Sequence, residues 1–260
     1  GPLVGPVSRV VIPIFPLPDL SFFTHTLLPL NIFEPRYRAM VIDCLARDKR
    51  LAVVCLKPGY EAEYHGKPAV HAVAGAGEIV RWERLPSGRY NILLRGDCRI
   101  RIESELPTDT LYRLVRALVL EDRLPPEGAV ALAPLVERVK GSCLRLLKAA
   151  KRSSPALETV LRDTREPGIV ADQVASALLA DAVLRQELLR TLDVGDRLRR
   201  VSVAVNVLLR DLTGEREGGG ALRETHSIDD SPARVPSAGD GVRSRHAGCV
   251  LSPWADPGKL

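Results

Sequence analysis

The chain of 260 residues carries 45% hydrophobic and 27% charged side chains, the balance of an ordinary globular protein of one large or two modest domains. Only 4% of residues are aromatic, so a core must be built from Leu, Val, Ile and Ala, and no apolar run reaches the roughly 20 residues that cross a bilayer. The net charge of +5 raises nucleic acid as a partner, but the basic residues are spread along the chain rather than gathered in a patch.

The opening GPLVGPVSRV lacks a basic stretch followed by an apolar one, so no signal peptide is expected and the expected compartment is the cytoplasm. Next, RVVIPIFPLP is a β-branched run interrupted by prolines, which suits an edge strand or a strand start. LLPLNIFEPRYRAM follows and reads as a strand turning into a helix. Pro35 suits the first helical position, where its missing N–H costs nothing, and Glu34 faces the positive helix start. The spacing then puts Tyr37, Met40, Val41 and Cys44 on one face, with Ile32 and Phe33 packing beneath as a staple.

LAVVCLKPG is a compact strand stopped by Pro58 and Gly59. AVHAVAGAGEIVRWERL and RYNILLRGDCRIRIESEL form a hairpin turning at Pro86-Ser87-Gly88, with a bulge or bend at Gly96. Gly75 and Gly77 lie inside a strand pattern, and with Val80 in the third glycine position they are expected to permit close packing rather than to bind a dinucleotide. LYRLVRALVLED adds a strand of undetermined register. Five or six short strands are most easily closed as a small, partly open barrel.

From about residue 127 the texture turns helical, with Leu132, Leu135, Val139, Leu144 and Leu147 at helical spacing despite Pro134 and Gly141. A second helix is expected to start near Ala171-Asp172, a third to carry Leu184, Leu188, Leu189 and Leu192, and a break to fall at Val194-Gly195-Asp196. The last helix shows a stripe of Leu198, Val201, Val205, Leu208 and Leu212. Short connections favour an antiparallel bundle. The arginine steps Arg99/Arg101 and Arg197/Arg199/Arg200 read as solvated faces. From residue 214 the chain is Gly-, Ser- and Pro-rich without periodicity and is expected to be disordered.

Catalytic constellations are missing. No phosphate loop, HExxH pair or GxSxG elbow occurs. The five cysteines, Cys44, Cys55, Cys98, Cys143 and Cys249, have no CxxC spacing, and the first four sit in apolar patterns as small hydrophobes. No cofactor and no metal site are expected, and the chain is not expected to be an enzyme.

IPIFPLPDLSFFTHTLLPLNIFEPRYRAMVIDCL resembles the start of the amino-terminal, substrate-recognition domain of the Lon protease family. The resemblance rests on Pro13-x-Phe15-Pro16-Leu17, Pro29-Leu30 and Ile32 to Tyr37. It continues through Lys57-Pro58-Gly59, Gly75-x-Gly77-Glu78-Ile79, Gly88-Arg89-Tyr90 and Leu94-x-Gly96-x-x-Arg99, then through the helical ADQVASALLADAVLRQELLRTLDVGDRLRRV. It covers about residues 8–213. DLSFFTHT departs from the family by lacking a glycine commonly found in that loop. The family's ATPase and Ser-Lys peptidase parts do not follow in this chain, so a stand-alone Lon-domain protein without either activity is expected.

The resemblance implies an α+β fold: a PUA-like small β pseudo-barrel over 8–123, an α-helical bundle over 127–213, and the tail over 214–260. It implies a non-catalytic polypeptide-binding or adaptor protein whose partner is unfolded or extended polypeptide or another protein, with no membrane partner. A PUA-like RNA- or DNA-binding module is the alternative. The apolar candidates for polypeptide contact are Phe15, Leu17, Phe22, Phe23 and Phe33, and a ligand cleft is expected where barrel and bundle meet.

Overall fold

The computed structural model describes residues 7–219 and 249–251. The strands are β1 (Arg9–Leu17), β2 (Leu27–Ile32), β3 (Arg50–Cys55), β4 (Val73–Arg84), β5 (Tyr90–Leu106) and β6 (Arg113–Leu120), with α1 (Pro35–Leu45) between β2 and β3. The helices α2 (Ala133–Ala149), α3 (Pro155–Asp163), α4 (Pro167–Leu178), α5 (Ala182–Arg190) and α6 (Val194–Gly219) follow, and β7 (Cys249–Leu251) closes the described chain.

Five strands make a closed ring. β1 pairs with β3 and β6, β4 pairs with β3 and β5, and β5 pairs with β6. β5 is long enough to take β6 at Arg99–Leu106 and β2 at Tyr90–Arg95 on the same side. β2 therefore hangs outside the ring, with one neighbour among β1–β6.

The expectation that proline places β1 at an edge or marks a strand start is corrected: β1 lies between β3 and β6, and Pro13 and Pro16 fall well inside Arg9–Leu17. Its prolines are tolerated because each side of the strand is paired for only part of its length. β6 pairs with Arg9–Ile14 and β3 with Ile14–Leu17, so Pro13 and Pro16 each sit where the opposite side has no partner to receive an N–H.

Period-2 alternation sorts the strand side chains into two cores. Ile12, Ile14, Ala52, Val54, Ala74, Ala76, Ile100, Val115 and Ala117 come from all five ring strands and fill the ring interior. The other parity gives Phe15, Leu17, Leu51, Val53, Ile79, Ile92 and Leu94, which pack with Tyr37, Met40, Val41 and Cys44 of α1. All four α1 residues are buried as the spacing predicts, with Pro35 in the first turn and Glu34 at the N-cap. Ile32 is fully buried, whereas Phe33 is half-buried and carries the Arg89 guanidinium over its ring.

Two glycines admit the segment joining β1 to β2, and a third lets β4 approach β5. A Cβ on Gly75 would lie 1.8 Å from the Phe22 carbonyl oxygen, and one on Gly96 would lie 2.4 Å from that of Phe23. On Gly77 it would lie 2.1 Å from the Arg95 oxygen. The glycines are thus close-packing positions. Pairing slips at Gly96-Asp97-Cys98, the expected bulge.

The helical part departs from the sequence pattern in three places. α3 was not signalled. α4 begins at Pro167, so Asp172 is mid-helix rather than near a start, and it is fully buried. α6 begins at Val194, so the break lies before that residue, and the helix continues beyond residue 213 to Gly219. The remainder of the expected tail lies outside the described residues, apart from β7. Pro134 causes no disturbance because it occupies the first turn of α2. Within the stripe of α6, Leu198, Val201 and Val205 are fully buried and Leu212 packs against the same core, but Leu208 faces solvent.

Candidate polypeptide-binding surface

Barrel and helices are joined by buried charges. Arg99, on β5, makes a bidentate pair with Asp172 of α4 at 2.8 and 3.1 Å, and its Nε donates to the Leu189 carbonyl at 2.7 Å. Arg197, on α6, pairs with Asp122 at 2.6 and 2.8 Å, donates to the Thr191 carbonyl at 2.8 Å, and brings its Nε within 3.3 Å of Asp172. Both arginines are buried, which corrects their reading as solvated faces; Asp172 and Asp122 supply the charge that burial requires. Burial raises the Asp122 carboxyl, but hydrogen bonds and charge from Arg197 outweigh it and hold the group below the usual carboxylate range.

The same arginines finish a helix. Leu189 and Thr191 lie at the end of α5, where backbone carbonyls have no intrahelical partner, so the guanidinium groups satisfy them. Arg185 serves the end of α4, donating to the Ser176 carbonyl at 3.1 Å and the Leu179 carbonyl at 2.9 Å, and adding a second donor at 2.9 Å to the Ala175 carbonyl, which also accepts the Leu179 N–H. The placement of α4, α5 and α6 is thereby set by side chains that reach across element boundaries.

Between α5 and α6 these placements leave an open apolar groove of about 690 Å³. Leu179, Leu184, Val203, Ala204, Val207 and Leu208 line it, and Asp181, Asp196, Arg199 and Arg200 stand at its rim. Val203 is 64% exposed, and Val207 and Leu208 are exposed as well. The source is the VSVAVNV run: alternate valines on a helix fall on two faces, so Val201 and Val205 enter the core while Val203 and Val207 remain outside. Two of the rim charges pair, Arg200 with Asp196 at 3.2 Å, and Asp181 accepts from the Leu184 N–H at 2.8 Å. The groove can bury apolar side chains while its charged rim keeps the surface solvated.

The cleft expected at the junction is present as a separate cavity of about 410 Å³, lined by Asp19, Cys55, Tyr60, His71, Gln186 and Arg190 among others. Burial, then the nearby charges of Lys57 and Arg190, lowers the His71 pKa and favours the neutral ring.

Four of the five aromatic and apolar candidates are inside the protein. Phe15, Leu17 and Phe22 belong to the barrel–α1 core, and Phe23 belongs to the core of the helices, so none is available to a ligand without opening the fold. Adjacent Phe22 and Phe23 are resolved by being shared between two cores. Phe33 alone of the five keeps partial exposure. Of the groove-lining residues, Leu184 and Leu208 belong to helical stripes legible in the sequence, whereas Val203 and Val207 lie off the main stripe of α6, and valines off that stripe are the sequence signal for the groove.

Burial raises the thiols of Cys44 and Cys143 to about 12 and that of Cys98 to about 11, which disfavours the reactive thiolate. Cys44, Cys55 and Cys143 are buried and Cys98 half-buried, as small hydrophobes. No group of three or more His, Cys, Asp or Glu residues placed to hold a metal ion occurs among the described residues. No helix among them is long and apolar enough to cross a membrane.

A closed five-strand ring fused through buried ion pairs to a bundle of helices defines the class: an α+β protein with a barrel-plus-bundle architecture. The chain belongs to the family described as the ATP-dependent protease La (LON) substrate-binding domain, whose model matches residues 11–207. It is similar to the Lon protease of Roseiflexus castenholzii, 29% identical over 192 residues, covering 74% of this chain and 23% of that protein. The Lon protease of Desulfosudis oleivorans is 24% identical over 195 residues, covering 75% and 24% respectively. The chain thus spans about a quarter of the length of these relatives. Among solved structures it shares its fold with the N-terminal domain of Mycobacterium avium complex Lon protease, with a TM-score of 0.57 and 18% identity over 79% of this chain and 99% of that one. A Lon N-terminal domain protein from Xanthomonas campestris gives a TM-score of 0.51 with 22% identity, covering 74% and 96%.

Proposed function

We propose that this chain is a non-catalytic polypeptide-binding or adaptor protein whose α5–α6 groove takes apolar side chains of an unfolded or extended polypeptide. The observation that carries the reading is the exposed apolar face of Val203, Val207 and Leu208 over an open groove. Membership in a substrate-binding family agrees with it. Phe33 is retained as a secondary contact because it keeps exposure.

Each apolar side chain buried in such a groove contributes about 1.5–3 kcal/mol, set against an association cost of at least about 4 kcal/mol, so one or two anchors alone bind more weakly than about 1 mM and several contacts must act together. Weak, repeated contacts of this kind suit unfolded chains, which offer many apolar residues and no single shape.

Titration of a fluorescently labelled, permanently unfolded polypeptide against the purified chain tests the reading. Val203→Asp should weaken binding about tenfold or more while leaving unfolding unchanged, because the side chain is on the surface. Equal binding by Val203→Asp would reject the groove. Affinity for RNA or DNA that collapses with added salt would instead favour the nucleic-acid alternative.

A further inference from the structure

β4 runs on past its partner β3. The two strands pair from Gly75 to Glu78, and the last bond on that side is the Ile79 N–H to the Lys49 carbonyl at 2.8 Å. A register slip between Ile79 and Arg81 bends β4 where β3 ends. From there to Arg84 the strand has β5 on one side and, among the described residues, no strand on the other. We propose that this edge, with the groove between it and α1, is a strand-addition site for extended polypeptide segments that carry an acidic side chain. The inference goes beyond the α5–α6 groove, with which this surface shares no residue.

Two observations agree on which backbone groups face outward. In the hairpin turn the Leu85 N–H donates to the Arg89 carbonyl at 2.8 Å, so by alternation Glu83 and Arg81 turn their polar groups toward β5. From the far side of β5, the Gly96 N–H donates to the Thr26 carbonyl at 2.9 Å. Gly96, Leu94 and Ile92 therefore face β2, which leaves Leu93 and Asn91 to meet Arg81 and Glu83. Trp82 and Arg84 consequently present a backbone N–H and C=O each to the open side. An added strand can form two hydrogen-bonded pairs there.

The side chains define the occupant. Trp82 lies opposite Ile92 and Arg84 opposite Tyr90, so both project on the face that α1 covers. Between α1 and the hairpin lies a groove of about 460 Å³, lined by Arg38, Ala39 and Ile42 on one side and Arg84, Ser87 and Tyr90 on the other. Arg38 reaches across to the turn, its Nη1 lying 3.1 Å from where a Cβ on Gly88 would stand. No carboxylate lines the groove, and neither Arg38 nor Arg84 has an ion-pair partner among the described residues. Trp82 is 44% exposed and Ile42 51%. A residue paired with Arg84 therefore meets two guanidinium groups, and one two positions away meets the Trp82 ring. The fitting segment is acidic at the first position and apolar at the second. A second copy of this chain fits poorly, because it would bring two further arginines to the same place.

Amide exchange by NMR on the full chain tests the proposal. The probe is a blocked peptide with glutamate and valine two positions apart among threonines. In the free chain the Trp82 and Arg84 amides should exchange fast and the Glu83 amide slowly. With about 1 mM peptide the Trp82 and Arg84 amides should slow about tenfold or more. Absence of that protection would overturn the proposal, as would slow exchange of both amides before peptide is added. Equal binding by a peptide with lysine for glutamate would refute the acidic requirement, and equal binding by one N-methylated at glutamate and valine would refute strand addition. The double variant Arg38→Glu, Arg84→Glu, changed only at side chains that line the open groove, should weaken the peptide about tenfold; unchanged binding would again overturn the assignment. A single-stranded oligonucleotide that protected these amides where the peptide did not would assign the edge to nucleic acid instead. Val203→Asp should leave the peptide effect intact, so failure of the α5–α6 groove and failure of this edge are read separately.

Discussion

Replacing Asp172 by asparagine removes one negative charge from the place where two buried guanidinium groups converge. Arg99 and Arg197 have side-chain exposures of 2% and 0%, and Asp172 is fully buried. In the variant Arg197 keeps Asp122, but Arg99 is left with the Thr24 hydroxyl and the Leu189 carbonyl, neither of which carries charge. The amide also turns an NH₂ group toward donors that previously met an oxygen. Removing one partner of a buried pair costs about 3–5 kcal/mol. For about 200 ordered residues each kcal/mol shifts Tm by roughly 2–4 °C, so a fall of roughly 6–20 °C is expected. Urea unfolding followed by circular dichroism gives the free energy directly, with Asp163→Asn as the control. Asp163 pairs with Arg162 in solvent and should change stability by about 0.5 kcal/mol or less. A loss under about 1 kcal/mol for Asp172→Asn would refute the claim that this carboxylate holds the helices to the barrel.

Two glycines should respond in opposite directions. Gly75→Ala would set a methyl 1.8 Å from the Phe22 carbonyl oxygen and should prevent folding or lower Tm severely, measured by thermal unfolding. Gly141→Ala, inside α2 with no neighbour closer than 3.6 Å, should stabilise by about 0.5–1 kcal/mol. Acid should weaken the fold through carboxylates held low by arginines. For Asp122, Arg197 outweighs burial, and for Glu105, Arg113 outweighs it. Such folded-state depression gives stability that is fully present above the unfolded carboxylate value of about 4 and is lost as pH falls through the folded value. Urea midpoints should therefore fall as pH drops below about 4, on top of any loss below about pH 6.5 from neutral His71, and the acid fall should be less steep in Asp122→Asn; an unchanged slope below about pH 4 in that variant would exclude Asp122 as a contributor.

Local features of the fold were legible where one physical constraint acts on neighbouring residues. Pro35 opening α1, the Tyr37/Met40/Val41/Cys44 face, the turn at Pro86-Ser87-Gly88 and the close approach at Gly75 each depend on a few consecutive positions. The interior position of β1 is not legible because proline's missing N–H points to an edge or a strand start, and only the fold shows that the strand's two partners divide its length. The start of α4 at Pro167 is not legible because Ala171-Asp172 has the chemistry of a helix start, whereas the Asp172 carboxylate serves a partner 73 positions away. Phe22 and Phe23 looked available because adjacent residues cannot share one face; the fold gives each a core of its own.

The candidate site was less legible because the interactions that shape it are distant in sequence. Arg99 meets Leu189 across 90 positions and Arg197 meets Asp122 across 75. Neither charge pattern differs locally from that of a solvated surface, so burial could not be inferred from spacing. These contacts nevertheless determine where α5 ends and where α6 begins, and the groove is the space between those helices. A protein that offered Val203, Val207 and Leu208 on loosely held helices could close the groove by collapsing its own apolar faces together. Charged groups that satisfy helix ends and reach from the barrel oppose that collapse, because moving α5 inward would strip the Leu189 and Thr191 carbonyls of their donors and leave two buried arginines underpaired. The ion network is therefore what keeps an apolar surface open in water, and the strength of polypeptide binding should depend on Asp172 even though it lines no part of the groove.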